Sequence, residues 1–232
     1  MLNWKDHYWN ILPNRDKALM IAKKQLPEFV YDAVNLEGIP FTLPEIQTLL
    51  DGISVGGHKL SDQQIAINQR DAWKELFYAI EKNEFEVSID FVCGLHKIAA
   101  KEEALKWGVF RDGSVYISGT DYEPPSHLEL VTHFESMLQG FDQFEDIYDL
   151  AIHVFLQMSR HQFFFDVNKR MGRFMMNGIL LNAGFPAINL LSKYQLEFNS
   201  KMLRFYESGD EKEMNQFMRD CMPEKILRIM KE

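Results

Sequence analysis

Residues 162–173, Gln-Phe-Phe-Phe-Asp-Val-Asn-Lys-Arg-Met-Gly-Arg, set an acid (Asp166), an amide (Asn168) and three cations (Lys169, Arg170 and Arg173) just ahead of an apolar helical run. This is the composition of a phosphate site at a helix N-terminus. The first turn of a helix leaves backbone N–H groups unpaired, its dipole favours anions there, and the cationic side chains bring charge to the same place. Asp166 is then placed to hold a divalent ion between phosphate oxygens. For the string taken alone, a solvated polar turn before a core helix is the competing reading.

The elements that must position these residues are mostly helical. Thr42–Glu45, Ser61–Gln64 and Ser126–Glu129 each fit a capping box, and apolar residues follow them at helical intervals. The run from Phe174 to Leu181 is apolar nearly all round, which predicts a central buried helix stopped by Gly184 and Pro186. Three more helices are expected over residues 192–231 as a closing layer. One segment breaks the pattern: in residues 108–119, Asp112-Gly113 between short β-prone runs predicts a β-hairpin. The expected fold is all-α, a helical bundle around one buried helix, with that short hairpin as a flap.

The 232 residues and 46% hydrophobic content suit one domain with a substantial core. A net charge of −9 with no basic block argues against a nucleic-acid surface. The two cysteines, Cys93 and Cys221, form no disulfide pattern, and no signal-like N-terminus precedes them, so a reduced cytoplasmic setting is expected. Cys93 and His96 at helical spacing lack a second pair to complete a zinc site. No apolar run is long enough for a bilayer, so no membrane association is expected.

The motif resembles the signature of the Fic (filamentation induced by cAMP; Fic/Doc, Fido) family, H-x-F-x-[DE]-G-N-[GK]-R-x-x-R. Phe164, Asp166, Asn168, Lys169, Arg170 and Arg173 fit; Gln162 stands where the family has its catalytic histidine, with His161 one residue early, and Val167 stands where it has a glycine. The likeness extends over roughly residues 28–190. Residues 28–38, ending Val34-Asn35-Leu36-Glu37-Gly38, resemble the family's inhibitory helix, with Ala33 in place of its hydroxyl residue. Residues 108–119 resemble its target-positioning flap, and residues 161–173 its active-site motif.

The resemblance implies transfer of AMP from ATP to a Ser, Thr or Tyr hydroxyl of a target protein, on a single Fic-type domain spanning residues 1–232. It assigns Asp166 to Mg²⁺, Asn168 to the phosphate loop, Lys169 to its rim, Arg170 to the β-phosphate through its planar fork and Arg173 to the γ-phosphate. Glu37 is implied to pair with Arg173 and displace the γ-phosphate, making the enzyme self-inhibited. Val109, Phe110, Arg111, Val115 and Ile117 would hold the target by strand addition.

Transfer to a hydroxyl needs a base, which imidazole can be and the amide of Gln162 cannot. If residues 144–161 are helical, His161 is rotated by about 100° from position 162 and points away; if the chain has already left the helix, a loop can turn it inward. Three functions stay open. They are an AMP-transferring enzyme with His161 or another group as base, a related phosphotransferase, and a catalytically impaired nucleotide-binding regulator. The target and nucleotide preference are not specified, and the oligomeric state stays open, a homodimer included.

Overall fold

The computed structural model describes residues 4–232. Among these residues are eleven α-helices: α1 (Arg15–Lys24), α2 (Leu26–Leu36), α3 (Leu43–Leu50), α4 (Leu60–Lys82), α5 (Ile89–Ala99), α6 (Leu130–Gln139), α7 (Ile147–His161), α8 (Asn168–Asn182), α9 (Gln195–Ser208), α10 (Lys212–Asp220) and α11 (Glu224–Lys231). The all-α expectation and the three helices expected within residues 192–231 match this order. No described helix is long and apolar enough to cross a membrane.

The centre is α8. Apart from Lys169, every residue from Asn168 to Leu181 is buried: the mostly apolar run 174–181 as expected, and Asn168, Arg170 and Arg173 along with it. It runs chiefly along α7, and α4, α5 and α1 also touch it. The α7–α8 approach is close because position 172 is glycine: a Cβ there would lie 2.8 Å from the Phe155 carbonyl oxygen. On the opposite side Trp73 of α4 meets Phe174 edge-on at 5.2 Å and stacks on Phe29 of α2 at 4.6 Å. These rings tie α2 and α4 to the same stretch of α8.

The end of α2 is fixed by long-range polar contacts. Asp32 accepts hydrogen bonds from Asn189 Nδ2 and from the amide and hydroxyl of Ser192, while Gln195 Nε2 donates to the carbonyls of Asn35 and Leu36. Gly38 then turns away at φ +81°, leaving Glu37 at the helix C-cap.

Two helix starts differ from expectation. Thr42 and Glu45 make the full capping box, but α4 begins at Leu60 behind Lys59, ahead of Ser61, and Ser126 caps only a 3₁₀ turn, His127–Glu129, that leads into α6. The hairpin is also corrected. Outside the helices, the described residues form one isolated bridge, Lys5 with Asp146, and residues 108–119 run as bends and turns. Gly113 does not adopt positive φ, so the hairpin turn is not made. The reason is Arg111, whose bonds go elsewhere: its amide donates to the Phe163 carbonyl at 2.9 Å, and its guanidinium reaches the carbonyls of Gln162, Gly113 and Pro125.

Candidate functional site

The site lies in the turn from α7 to α8. Helix α7 runs through His161, Gln162 leaves it in the left-handed region at φ 50°, and Val167 enters α8 in the same region at φ 65°. For a β-branched side chain that conformation is strained. The turn is held by Asn168, whose Oδ1 accepts from the Phe164 amide at 2.9 Å and whose Nδ2 donates to the Phe164 carbonyl at 2.8 Å and to Gln162 Oε1 at 3.0 Å.

Beneath the turn, Phe164 stacks on His96 of α5 with ring centroids 3.7 Å apart. The Gly108 amide donates to His96 Nδ1, so the proton sits on Nε2, which faces the Asp166 carbonyl at 3.3 Å. Burial pushes the His96 pKa down to about 4, and the ring is a neutral brace. With both nitrogens committed to the backbone, His96 is not free to ligate a metal.

At the start of α8, Val167 offers no side-chain cap, so the first-turn N–H groups are left for an outside acceptor. They open on a cavity of about 490 Å³ lined by Gln162, Asp166, Asn168, Lys169 and Arg170 on one side and by Met202, Leu203 and Tyr206 of α9 on the other. Tyr116, Ile117, Ser118 and Glu37 also line it. The volume suits a nucleotide-sized ligand.

Glu37 sits among all three cations: Oε2 is 3.5 Å from Lys169 Nζ, and Oε1 is 3.9 Å from Arg170 Nε and 3.8 Å from Arg173 Nη2. Burial pushes its pKa up, but Arg170, Lys169 and Arg173 together outweigh burial and hold the carboxyl below its usual value. Burial lowers the Arg173 pKa to about 10, so it stays charged. The expected pairing of Glu37 with Arg173 is thus one contact of three.

Three expectations need correcting. Arg170 does not point its fork into the cavity; both terminal nitrogens bind Glu103, a residue the sequence reading did not single out. Arg111 faces no target. It is 3% exposed and staples the flap to the turn, while Val109 is exposed, Phe110 packs on Phe134, Phe163 and Phe164, Val115 is half-buried, and Ile117 reaches the cavity. His161 remains helical and therefore points away. Its ring stacks on His133 of α6 at 4.7 Å, its Nδ1 is buried without a partner, and burial, with His133 next, lowers its pKa to about 4. Gln162 takes the cavity side instead, its Nε2 donating to the Ser159 carbonyl.

A divalent ion is compatible with the donor set. Among the described residues no three His, Cys, Asp or Glu side chains gather into a metal cluster. Asp166 is exposed in the cavity lining, with Oδ1 accepting from the Val167 amide and Oδ2 left over. One carboxylate with phosphate oxygens and water is how Mg²⁺ is commonly bound alongside a nucleotide.

Comparison with known proteins agrees with this architecture. Residues 86–180 match the model of the Fic/DOC family. The chain is 25% identical over 216 residues to the protein adenylyltransferase Fic of Drosophila willistoni, covering 89% of this chain and 42% of that protein. Against the protein of the same name from Aedes aegypti it is 26% identical over 211 residues, covering 88% and 42%. It therefore spans less than half the length of these curated relatives. Among solved structures it resembles Fic-1 (residues 134–508) from C. elegans, with a TM-score of 0.80 and 18% identity over 96% of this chain and 67% of that one. A Fic-domain-containing signalling protein from Bacteroides thetaiotaomicron gives a TM-score of 0.74 at 17% identity, covering 95% and 89%.

Proposed function

We propose that this chain, whose residues 86–180 carry a Fic/DOC-family domain, is a Fic-type adenylyltransferase scaffold that takes ATP and a target-protein hydroxyl and is held inhibited by Glu37. The observation that carries this reading is one carboxylate seated among Lys169, Arg170 and Arg173 at the uncapped start of α8, beside a cavity of nucleotide size. A carboxylate there occupies the place of an anionic ligand.

In this reading the α8 N–H groups and Lys169 receive the polyphosphate, and Asn168 keeps the turn in shape. Met202, Leu203 and Tyr206 give the nucleoside an apolar wall. Asp166 would hold Mg²⁺, which supplies charge neutralisation for the leaving pyrophosphate. Ile117 and the exposed Tyr116 also line the cavity, and a target segment would approach along them. Glu37 competes with the phosphates for the same cations.

The position of His161 supports a second reading, a nucleotide-binding regulator with impaired transfer. The cavity lining contains no imidazole, and the Gln162 amide cannot take a proton at neutral pH. Incubating the purified chain and its Glu37→Gly variant with α- and γ-labelled ATP separates the readings. Transfer of α-label to protein is the expected result for an adenylyltransferase, binding without transfer is that of the regulator, and γ-label on protein would indicate a phosphotransferase. If neither form binds ATP, the proposal fails.

A further inference from the structure

We infer that Glu103 is a positioning residue for the polyphosphate site: by gripping both terminal nitrogens of Arg170 it aims that side chain's Nε–H, beside an N–H of Arg173, at the terminal phosphoryl group of a nucleoside triphosphate. The inference rests on the reading of the cleft as a nucleotide site.

Four observations meet here. Arg170 Nη1 donates to Glu103 Oε2 at 2.9 Å and Nη2 to Oε1, a bidentate pair in which the Arg170 side chain is 4% exposed. Nε is then the one guanidinium nitrogen of Arg170 that makes no hydrogen bond among the described residues, and it is buried. Arg173 Nη2 is likewise buried and unpaired. A single oxygen, Glu37 Oε1, stands 3.9 Å from the first and 3.8 Å from the second.

Charge-assisted N–H···O bonds are about 2.7–2.9 Å long, so the Glu37 oxygen falls roughly 1 Å short of bonding either donor. Two buried N–H groups left unpaired beside one anion describe a receptacle that the anion only partly satisfies. A phosphoryl group presents separate oxygens to the two donors, whereas the carboxylate offers both of them the same one. Lysine could not replace Arg170 here. It has no fork to be gripped and no second nitrogen to aim.

Glu103 lies 67 positions before Arg170, in the turn after α5, and is not itself among the residues that line the cavity. Its effect is therefore indirect, through the direction in which Arg170 Nε points. Had Glu103 instead been a second competitor for the phosphates, its removal would strengthen ATP binding; as a positioning residue, its removal weakens it.

The test compares ATP with AMP, which lacks the β- and γ-phosphates, by calorimetry on Glu37→Gly and on Glu37→Gly/Glu103→Gln. Glu103→Gln is expected to weaken ATP binding about tenfold while leaving AMP binding unchanged, the loss of one hydrogen bond to a charged group. A merely structural Glu103 would lower the melting temperature without changing the ratio of the two affinities. An unchanged ratio, or tighter ATP binding, overturns the inference while leaving the nucleotide site intact. Failure of Glu37→Gly to bind either nucleotide removes both. Should the double variant not fold, ¹⁵N spectra of the arginine side chains in Glu37→Gly give the answer: ATP, and not AMP, should shift Arg170 Nε–H while its Nη groups stay bound to Glu103. An Nε–H signal indifferent to ATP would contradict the assignment.

Discussion

The two helix ends that meet at residues 162–168 differ in what they have kept. At the start of α8 the proposed anion receptacle is built from many parts: uncapped backbone N–H groups, Lys169, two buried guanidinium groups and the Asn168 clamp on the turn. At the end of α7 the acid–base function would rest on one imidazole in one direction, and the helix carries that imidazole onto α6 while presenting the Gln162 amide to the cavity. Distributed chemistry tolerates local change. A single-atom function does not survive a displacement of one residue, because each step along a helix rotates the side chain by about 100°.

The largest expected effect restores the weaker end. Gln162→His in the Glu37→Gly background should raise AMP transfer by about 10²- to 10⁴-fold, the usual contribution of a general base, measured as α-label incorporated into protein. Histidine tolerates the left-handed backbone at position 162 better than most residues. No gain in transfer, with ATP still bound, would mean that the cavity cannot orient a base at all.

Next comes the staple that joins the flap to this end. Arg111→Lys keeps the charge but loses the fork that reaches the Gln162, Gly113 and Pro125 carbonyls, and should destabilise the fold by about 2–3 kcal/mol. Chemical denaturation measures it, and a loss below about 0.5 kcal/mol would show that the flap is held by its aromatic contacts alone.

Acid should act on both ends. His96 and His161 titrate at about 4 in the folded chain against an ordinary value of 6.5, so between these values the unfolded state binds more protons. Stability from these groups is complete above pH 6.5 and drains as pH falls toward 4, by about 2 kcal/mol for each ring at pH 5. His161→Phe should remove its share of the loss between pH 7 and pH 5 in denaturation curves; an unchanged pH profile would contradict the burial of that ring.

Val167→Gly is the smallest change. It relieves the positive φ but gives up a side chain only 3% exposed, and the two effects should cancel to within about 1 kcal/mol. A clear stabilisation would show that the valine is kept at the receptacle for a reason other than packing.

What could be read from the residues divides along the same line. The start of α8 was legible because cations, amide and acid crowd into a short stretch ahead of an all-apolar run, and both signals are local. The helix bundle followed from periodicity for the same reason. Glu37 was visible only through family likeness, since one glutamate after a helix carries no signal of its own. The hairpin expectation failed because turn chemistry at Asp112-Gly113 was overruled by Arg111, whose side-chain bond to the Gln162 carbonyl spans 51 positions. Glu103 was illegible for the same physical reason: within Lys101-Glu102-Glu103 it looks like a solvated charge, and only the fold brings Arg170 to it.

The central claim is that the start of α8 receives a nucleotide's phosphates and that Glu37 stands in their way. Calorimetric titration of ATP into the wild-type chain and Glu37→Gly tests it directly. The account predicts at least about tenfold tighter ATP binding once the carboxylate no longer occupies Lys169, Arg170 and Arg173. Equal affinities in the two proteins, or no ATP binding in either, would contradict it.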